Sequence, residues 1–182
     1  ARAFTSTRIT SARLCEQLVS LNGAFNGCYS LTNVTPSFPP TLESIAGYAF
    51  YNCTNLAGRF VLSNQKIRLL GNGIFENTAI EDLTIPQSIT NIASYFAKNC
   101  KALTNVSVAL QGRAPEPTPC YIGYQAFYNC PKLATLELPF PGYATGHGNN
   151  VHIGSCPSLR RIHIFGPAIP KIAISGYTNY VL

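Results

Sequence analysis

The residues of this 182-residue chain able to ligate a metal, attack a carbonyl or move a proton are seven cysteines, three histidines and seven carboxylates. Their densest grouping is His147, His152 and Cys156, which together would offer nitrogen and sulfur to zinc. The paired spacings such sites draw on, C-x2-C among them, are missing. His147 falls in a Gly-rich stretch, His152 enters the next structural unit, and Cys156 has a packing role, so no metal or other cofactor is expected. Nucleophilic catalysis needs a nucleophile, a base and a group to orient it. The chain holds one aspartate, Asp82, and no G-x-S-x-G. Gly71-Asn72-Gly73 lacks the glycine and lysine that complete a phosphate loop and reads as a turn. Glu81 and Asp82 read as solvated charges at a strand entry. No catalytic residue, and no enzyme, is expected.

Five of the cysteines share one phase of a repeated phrase, an apolar–aromatic pair followed by Cys and then Leu. It runs Ala24-Phe25…Cys28…Leu31, Ala49-Phe50…Cys53…Leu56, Ile74-Phe75…Thr78…Ile80, Phe96-Ala97…Cys100…Leu103, Ala126-Phe127…Cys130…Leu133 and Ile153…Cys156…Leu159. Thr78 takes the Cys position in the third copy, so the site accepts any small, weakly polar side chain. These cysteines therefore read as buried thiols packed in a ladder, not as disulfides. Cys15, with Leu18 three residues on, fits a truncated first unit. Cys120 lies in a Pro-rich insertion and is the odd one out, a free thiol or an intermolecular partner.

The elements that position these residues follow from the same period. Self-similarity at 20–50 residues marks a stacked repeat protein, because one unit cannot bury its apolar face alone. After Ile80, Leu83 and Ile85 alternate with Thr84, the pattern of a half-buried strand, and Pro86 ends it. Val34, Val106 with Val108, Leu136 with Leu138, and Ile162 with Ile164 repeat that pattern; the second repeat needs one extra residue to bring Phe60 and Leu62 into register. Such strands should pair in parallel. An apolar anchor precedes each aromatic phrase: Leu21, Ile45, Leu70, Ile92 and Ile122. A short helical or 3-10 turn is expected through the Phe–Cys stretch. Insertions at Pro36–Thr41, Ala109–Tyr121 and Pro139–Val151 fall at one phase and should emerge on one edge, with Tyr121, Phe140, Tyr143 and His147.

The phrase Ile45…Ala49-Phe50-x-Asn52-Cys53-x-x-Leu56, with Leu83-Thr84-Ile85-Pro86-x-x-Ile89-x-x-Ile92 after a strand, resembles the BspA-type leucine-rich repeat. Thr78 for Cys, the slipped Phe96-Ala97 and the missing Phe before Cys156 depart from it. The resemblance implies an α/β repeat solenoid with a curved parallel sheet on its concave face and helical or 3-10 turns on the convex side. It also implies a secreted or cell-surface setting and adhesive, host-interacting relatives, with no catalytic motif to carry over. The chain is read as a single domain of a larger protein. Residues 1–20 form a degenerate first unit, 21–172 about six repeats of 21–31 residues, and 173–182 a terminal strand.

Composition narrows the function further. Only 11% of residues are charged, with net charge +6, so Ser, Thr, Asn, Gln and Tyr must cover much of the surface. The basic residues are scattered; Lys66 with Arg68 and Arg160 with Arg161 make no stripe, so nucleic acid is not an expected partner. No apolar run reaches the ~20 residues that span a bilayer, and a signal peptide, if made, should already be gone. The expected function is an extracellular or cell-surface module recognising a protein or glycan. Its binding positions would lie on the concave strands (Thr32, Thr84, Ser107, Glu137, Arg161, His163) and on the loop edge (Tyr121, Tyr143, His147). The alternative is a structural spacer, or an element that self-associates through its solenoid ends. Asn33, Asn52 and Asn105 open N-x-[ST] sequons.

Overall fold

The structure is a computed structural model, describing residues 3–35, 38–62, 66–109, 120–139, 153–165 and 174–175. Fourteen short strands form it. The longer ones, β5 (Ala57–Val61), β7 (Ala79–Pro86), β9 (Asn105–Ala109), β11 (Thr135–Pro139) and β13 (Arg161–Phe165), pair in that order as one parallel sheet. Two-residue strands form a second: β2 (Ser20–Leu21), β4 (Ser44–Ile45), β6 (Leu69–Leu70), β8 (Asn91–Ile92) and β10 (Tyr121–Ile122). β1 (Ser11–Arg13) pairs with β3 (Asn33–Thr35), and β12 (Ile153–Gly154) with β14 (Ile174–Ser175). The chain is thus a parallel β-solenoid of about five turns. The apolar anchors Leu21, Ile45, Leu70, Ile92 and Ile122 do not precede a helix. They are the inward halves of the second sheet, each buried.

The expected α/β class and its helical or 3-10 turns are therefore corrected: the described residues contain no helix. The backbone of the Phe–Cys stretch explains why. Five of the copies hold two left-handed residues four apart: Gly23 and Gly27, Tyr48 and Asn52, Gly73 and Asn77, Tyr95 and Asn99, Gln125 and Asn129. A right-handed helix cannot pass through those conformations. Instead of reaching back along one helix, backbone N–H groups reach the next turn, Phe50 N to Ile74 O at 2.9 Å and Asn52 N to Glu76 O at 3.0 Å. The asparagine side chains follow, Nδ2 of Asn77 donating to Asn52 Oδ1 (2.6 Å), of Asn99 to Asn77 Oδ1 (2.9 Å), and of Asn129 to Asn99 Oδ1 (2.7 Å). A third ladder, of turns, thus closes the solenoid beside the two sheets.

Inside that ladder the phenylalanines stack. Phe4, Phe25, Phe50 and Phe75 lie nearly parallel with centroids 5.4–5.7 Å apart. Phe96 breaks the run, meeting Phe75 and Phe127 edge-on at 82° and 80°. The slip read in Phe96-Ala97 is the reason. Phe75 N bonds Phe96 O and Ala97 N bonds Ala126 O, so Ala97 holds the Phe position and Phe96 the one before it. Phe4 adds a copy ahead of the six; Thr7 holds its Cys position and donates to Phe4 O at 2.8 Å, as Thr78 donates to Phe75 O at 2.8 Å. Cys15, assigned from sequence to a first unit, is off the ladder and exposed. The irregularity expected in the second repeat is present, but pairing passes from Gly58–Ile80 to Arg59–Asp82 and makes Glu81 of the partner strand the surplus residue.

The cysteine ladder is as the spacing indicates: all seven cysteines are unpaired, and Cys28, Cys53, Cys100, Cys130 and Cys156 are buried. Each thiol donates to a carbonyl one turn earlier, Cys28 to Phe4 O (2.9 Å), Cys53 to Phe25 O (3.0 Å), Cys100 to Phe75 O (2.9 Å), Cys130 to Ala97 O (3.2 Å) and Cys156 to Phe127 O (3.2 Å). Of the two alternatives for Cys120, the free thiol holds, and its burial beside β10 goes against the intermolecular partner. Burial pushes the Cys53, Cys100 and Cys120 thiols up to about 12. From the ordinary thiol value of 9.0 toward that value, the unfolded chain gives up these protons while the folded chain keeps them. Stability should therefore be unaffected by these groups below about pH 9 and fall as pH rises through this window. Urea midpoints across the range would show it. In native protein at neutral pH a thiol reagent should label Cys15 and none of the other six, all of which should react once the chain unfolds.

Candidate functional site

Two lines of side chains cross the outer face of the long-strand sheet. The register aligns Arg59, Asp82, Asn105, Thr135 and Arg161 in the first. Val61, Thr84 and Ser107 begin the second, and Glu137 and His163 continue it. Alternation does this: the intervening Leu83, Val106 and Leu136 face the core and are fully buried. Four of the positions chosen from sequence, Thr84, Ser107, Glu137 and His163, thus stand in one line on successive strands, with Arg161 beside them.

Their roles differ. Thr84 is only 8% exposed and shares a 3.0 Å hydroxyl contact with Ser107, so it offers a partner little. Backbone pairing between β9 and β11 ends at Val106–Leu136, and the Glu137 carboxylate takes over, accepting from Val108 N–H at 2.9 Å. Its other oxygen lies 4.0 Å from His163 Nδ1. Glu137 is therefore part fastener, part surface, whereas Arg59, Arg161 and His163 are exposed. In the first line the Asp82 carboxylate accepts from Thr104 Oγ1 at 3.2 Å. Arg59, Asp82, Asn105 and Thr135 were not among the chosen binding positions, although counting two residues back from Val61, Thr84, Ser107 and Glu137 finds them. The face offers two guanidinium groups, carboxylates and hydroxyls in register across the sheet, groups suited to hydrogen-bonding and ionic recognition.

The remaining chosen residues are elsewhere. Tyr121 is in β10, on the second sheet. Thr32 precedes β3, where its hydroxyl donates to Thr10 O at 2.9 Å. Tyr143 and His147 lie outside the described residues, as does His152 of the weighed zinc grouping. Among the described residues no group of three or more His, Cys, Asp or Glu is placed to hold a metal ion. Of the sequons, Asn52 anchors the asparagine ladder on left-handed backbone, Asn105 is half-buried in the first line, and Asn33 is exposed at the start of β3.

Stacked parallel sheets, a turn ladder and a period set by one Cys define a solenoid repeat scaffold. The chain belongs to the BspA-type leucine-rich repeat family, whose model, described as BspA type Leucine rich repeat region, matches in six copies over residues 21–141 and 77–167. No curated protein matches the chain. Among solved structures it is similar to the leucine-rich repeat protein TpLRR of T. pallidum, at 19% identity and a TM-score of 0.54, covering 89% of this chain and 60% of that one. It is also similar to a leucine-rich repeat protein from Bacteroides ovatus, at 21% identity and a TM-score of 0.56, covering 91% of this chain and 45% of that one. At these identities the likeness is one of fold, and the chain spans about half the length of those proteins.

Proposed function

We propose that this chain is a non-catalytic recognition module, displayed outside the cell, that binds an extracellular protein or glycan through the outer face of its long-strand sheet. The observation that carries the reading is the line Ser107–Glu137–His163 with Arg161 alongside, four polar side chains brought into register on three neighbouring strands. Function in repeat scaffolds resides in such variable surface positions, while the repeating positions are spent on packing. Arginine at the centre of a contact commonly dominates its energy. The extracellular setting rests on the family and on the low charge of the chain.

The test is binding of the purified chain to immobilised matrix proteins, sulfated glycans and itself, with Arg161→Ala/His163→Ala as the variant. Both side chains are exposed, so the melting temperature should move little. Binding to a foreign partner should weaken about tenfold or more. Binding to itself alone, unchanged in the variant, would overturn the reading and favour assembly through the solenoid ends.

A further inference from the structure

We propose that the turn ladder carries a second site, for an uncharged glycan chain lying along the solenoid axis across the exposed rings of Tyr48 and Tyr124, which Tyr51 and Tyr95 brace edge-on. This inference does not rest on the strand face. Five of the ten tyrosines fall on three of the turns. Counted back from the Cys position, Tyr51, Glu76, Lys98 and Tyr128 share one site of the repeat, and Tyr48, Gly73, Tyr95 and Gln125 another. The rings are fixed by one another: Tyr48 meets Tyr51 edge-on at 5.5 Å and 89°, and Tyr95 meets Tyr124 at 5.8 Å and 86°. Tyr48 and Tyr124 remain 39% and 43% exposed.

Two of the rings stand on a left-handed position of the repeat, which Gln125 also occupies (φ 53°). Tyr48 (φ 62°) and Tyr95 (φ 61°) occupy a left-handed position that Gly23 and Gly73 fill elsewhere in the ladder. A bulky side chain is rare there, and strain of this kind concentrates where ligands are held. Gly73 leaves room for the ring: a Cβ on it would lie 3.0 Å from Tyr48 Cε1 and 3.2 Å from Glu76 Oε2. The exposed Tyr48 and Tyr124 rings, braced by their neighbours, have little ordering left to lose on binding.

The chemistry of the ligand follows from what surrounds the rings. Glu76 and Lys98 balance each other in charge, and the Lys98 ammonium already sits over Tyr95 at 4.8 Å and near Tyr128 at 6.0 Å. The Lys98 ammonium is thus already engaged with rings, and a polyanion would gain less from it than from a fully solvated cation. Flat rings flanked by a carboxylate, an ammonium and the Gln125 amide suit a ligand with C–H faces and hydroxyl edges, which is a neutral sugar. Successive turns advance by about 4.8 Å, close to the rise of one pyranose unit in an extended glycan.

Affinity electrophoresis through gels containing hydroxyethyl cellulose, galactomannan or laminarin tests this, with heparin as the charged comparison. The chain should be retarded by at least one neutral polysaccharide. Tyr48→Asn/Tyr95→Asn/Tyr124→Ser should lose that retardation at least tenfold while melting no lower, since asparagine suits both left-handed positions. Tyr29→Ser, which removes an exposed tyrosine outside both sites, should be retarded like the parent. Should the triple variant not fold, Tyr124→Ser alone, on ordinary backbone, decides by the same readout. The proposal is overturned if no neutral polysaccharide retards the parent, if only heparin does, or if removing the rings leaves retardation unchanged. Loss of binding to an immobilised protein in the triple variant, with no polysaccharide retarding the parent, would assign the ridge to a polypeptide instead.

Discussion

Gly71→Ala and Gly123→Ala are each expected to lower the unfolding free energy by about 3 kcal/mol, combining an overpacked contact with a lost backbone hydrogen bond. A Cβ on Gly71 would lie 2.4 Å from Gly47 N and 2.7 Å from Ala46 C; on Gly123 it would lie 2.3 Å from Ser94 N and 2.6 Å from Ala93 C. Every one of those atoms is backbone of the preceding turn, so no side chain can swing aside. Relief would require the turns to separate. That movement would break the bonds closing the second sheet, Gly71 N to Ile45 O at 3.0 Å and Gly123 N to Ile92 O at 2.7 Å. Gly58 is the control. It has a left-handed φ of 88° and open space around its Cβ position, so Gly58→Ala should cost only about 1 kcal/mol, from backbone conformation. Urea denaturation of the three variants separates the two causes. A Gly71→Ala variant as stable as Gly58→Ala would sink the close-packing account.

Those glycines also mark where the sequence stops being legible. Ala46, Gly71, Ala93 and Gly123 each follow a short strand and donate the same inter-turn bond, so the repeat phase alone gives no sign that a methyl fits two of them and not the others. The distinction is set by how closely particular turns approach. Positions whose role is intrinsic to one repeat were readable: the Cys phase, Thr78 as its substitute, the Phe96-Ala97 slip and the outward register of Ser107, Glu137 and His163. What escaped depends on the neighbouring turn. Leu21, Ile45, Leu70, Ile92 and Ile122 are isolated apolar residues until stacking pairs them into a sheet. The Phe–Cys stretch carries a helix-like apolar spacing, and only the left-handed pairs of residues, most of them not glycine, rule a helix out. Cys120, out of phase with the ladder, is buried directly before β10.

The asparagine ladder makes the same dependence measurable. Asn99 sits at φ 60°, donates to Asn77 Oδ1 at 2.9 Å and accepts from Asn129 Nδ2 at 2.7 Å. Asn99→Ala should cost about 3 kcal/mol: roughly 1–2 for placing an alanine in the left-handed region and about 1 for each hydrogen bond removed. Asn99→Gly loses the same two bonds but tolerates the backbone, so its cost should be about half as large. The order matters more than either value. Equal losses would mean that the left-handed backbone contributes nothing, and that asparagine is there only for its amide. A glycine variant as stable as the parent would mean the reverse, with the side-chain ladder idle and the inter-turn bond of Asn99 N to Tyr128 O, 2.9 Å long, carrying the stacking. If both contribute, as the geometry requires, glycine falls between parent and alanine. The turn ladder then stacks the repeats alongside the two sheets, and it is the rigid base on which the tyrosine ridge stands.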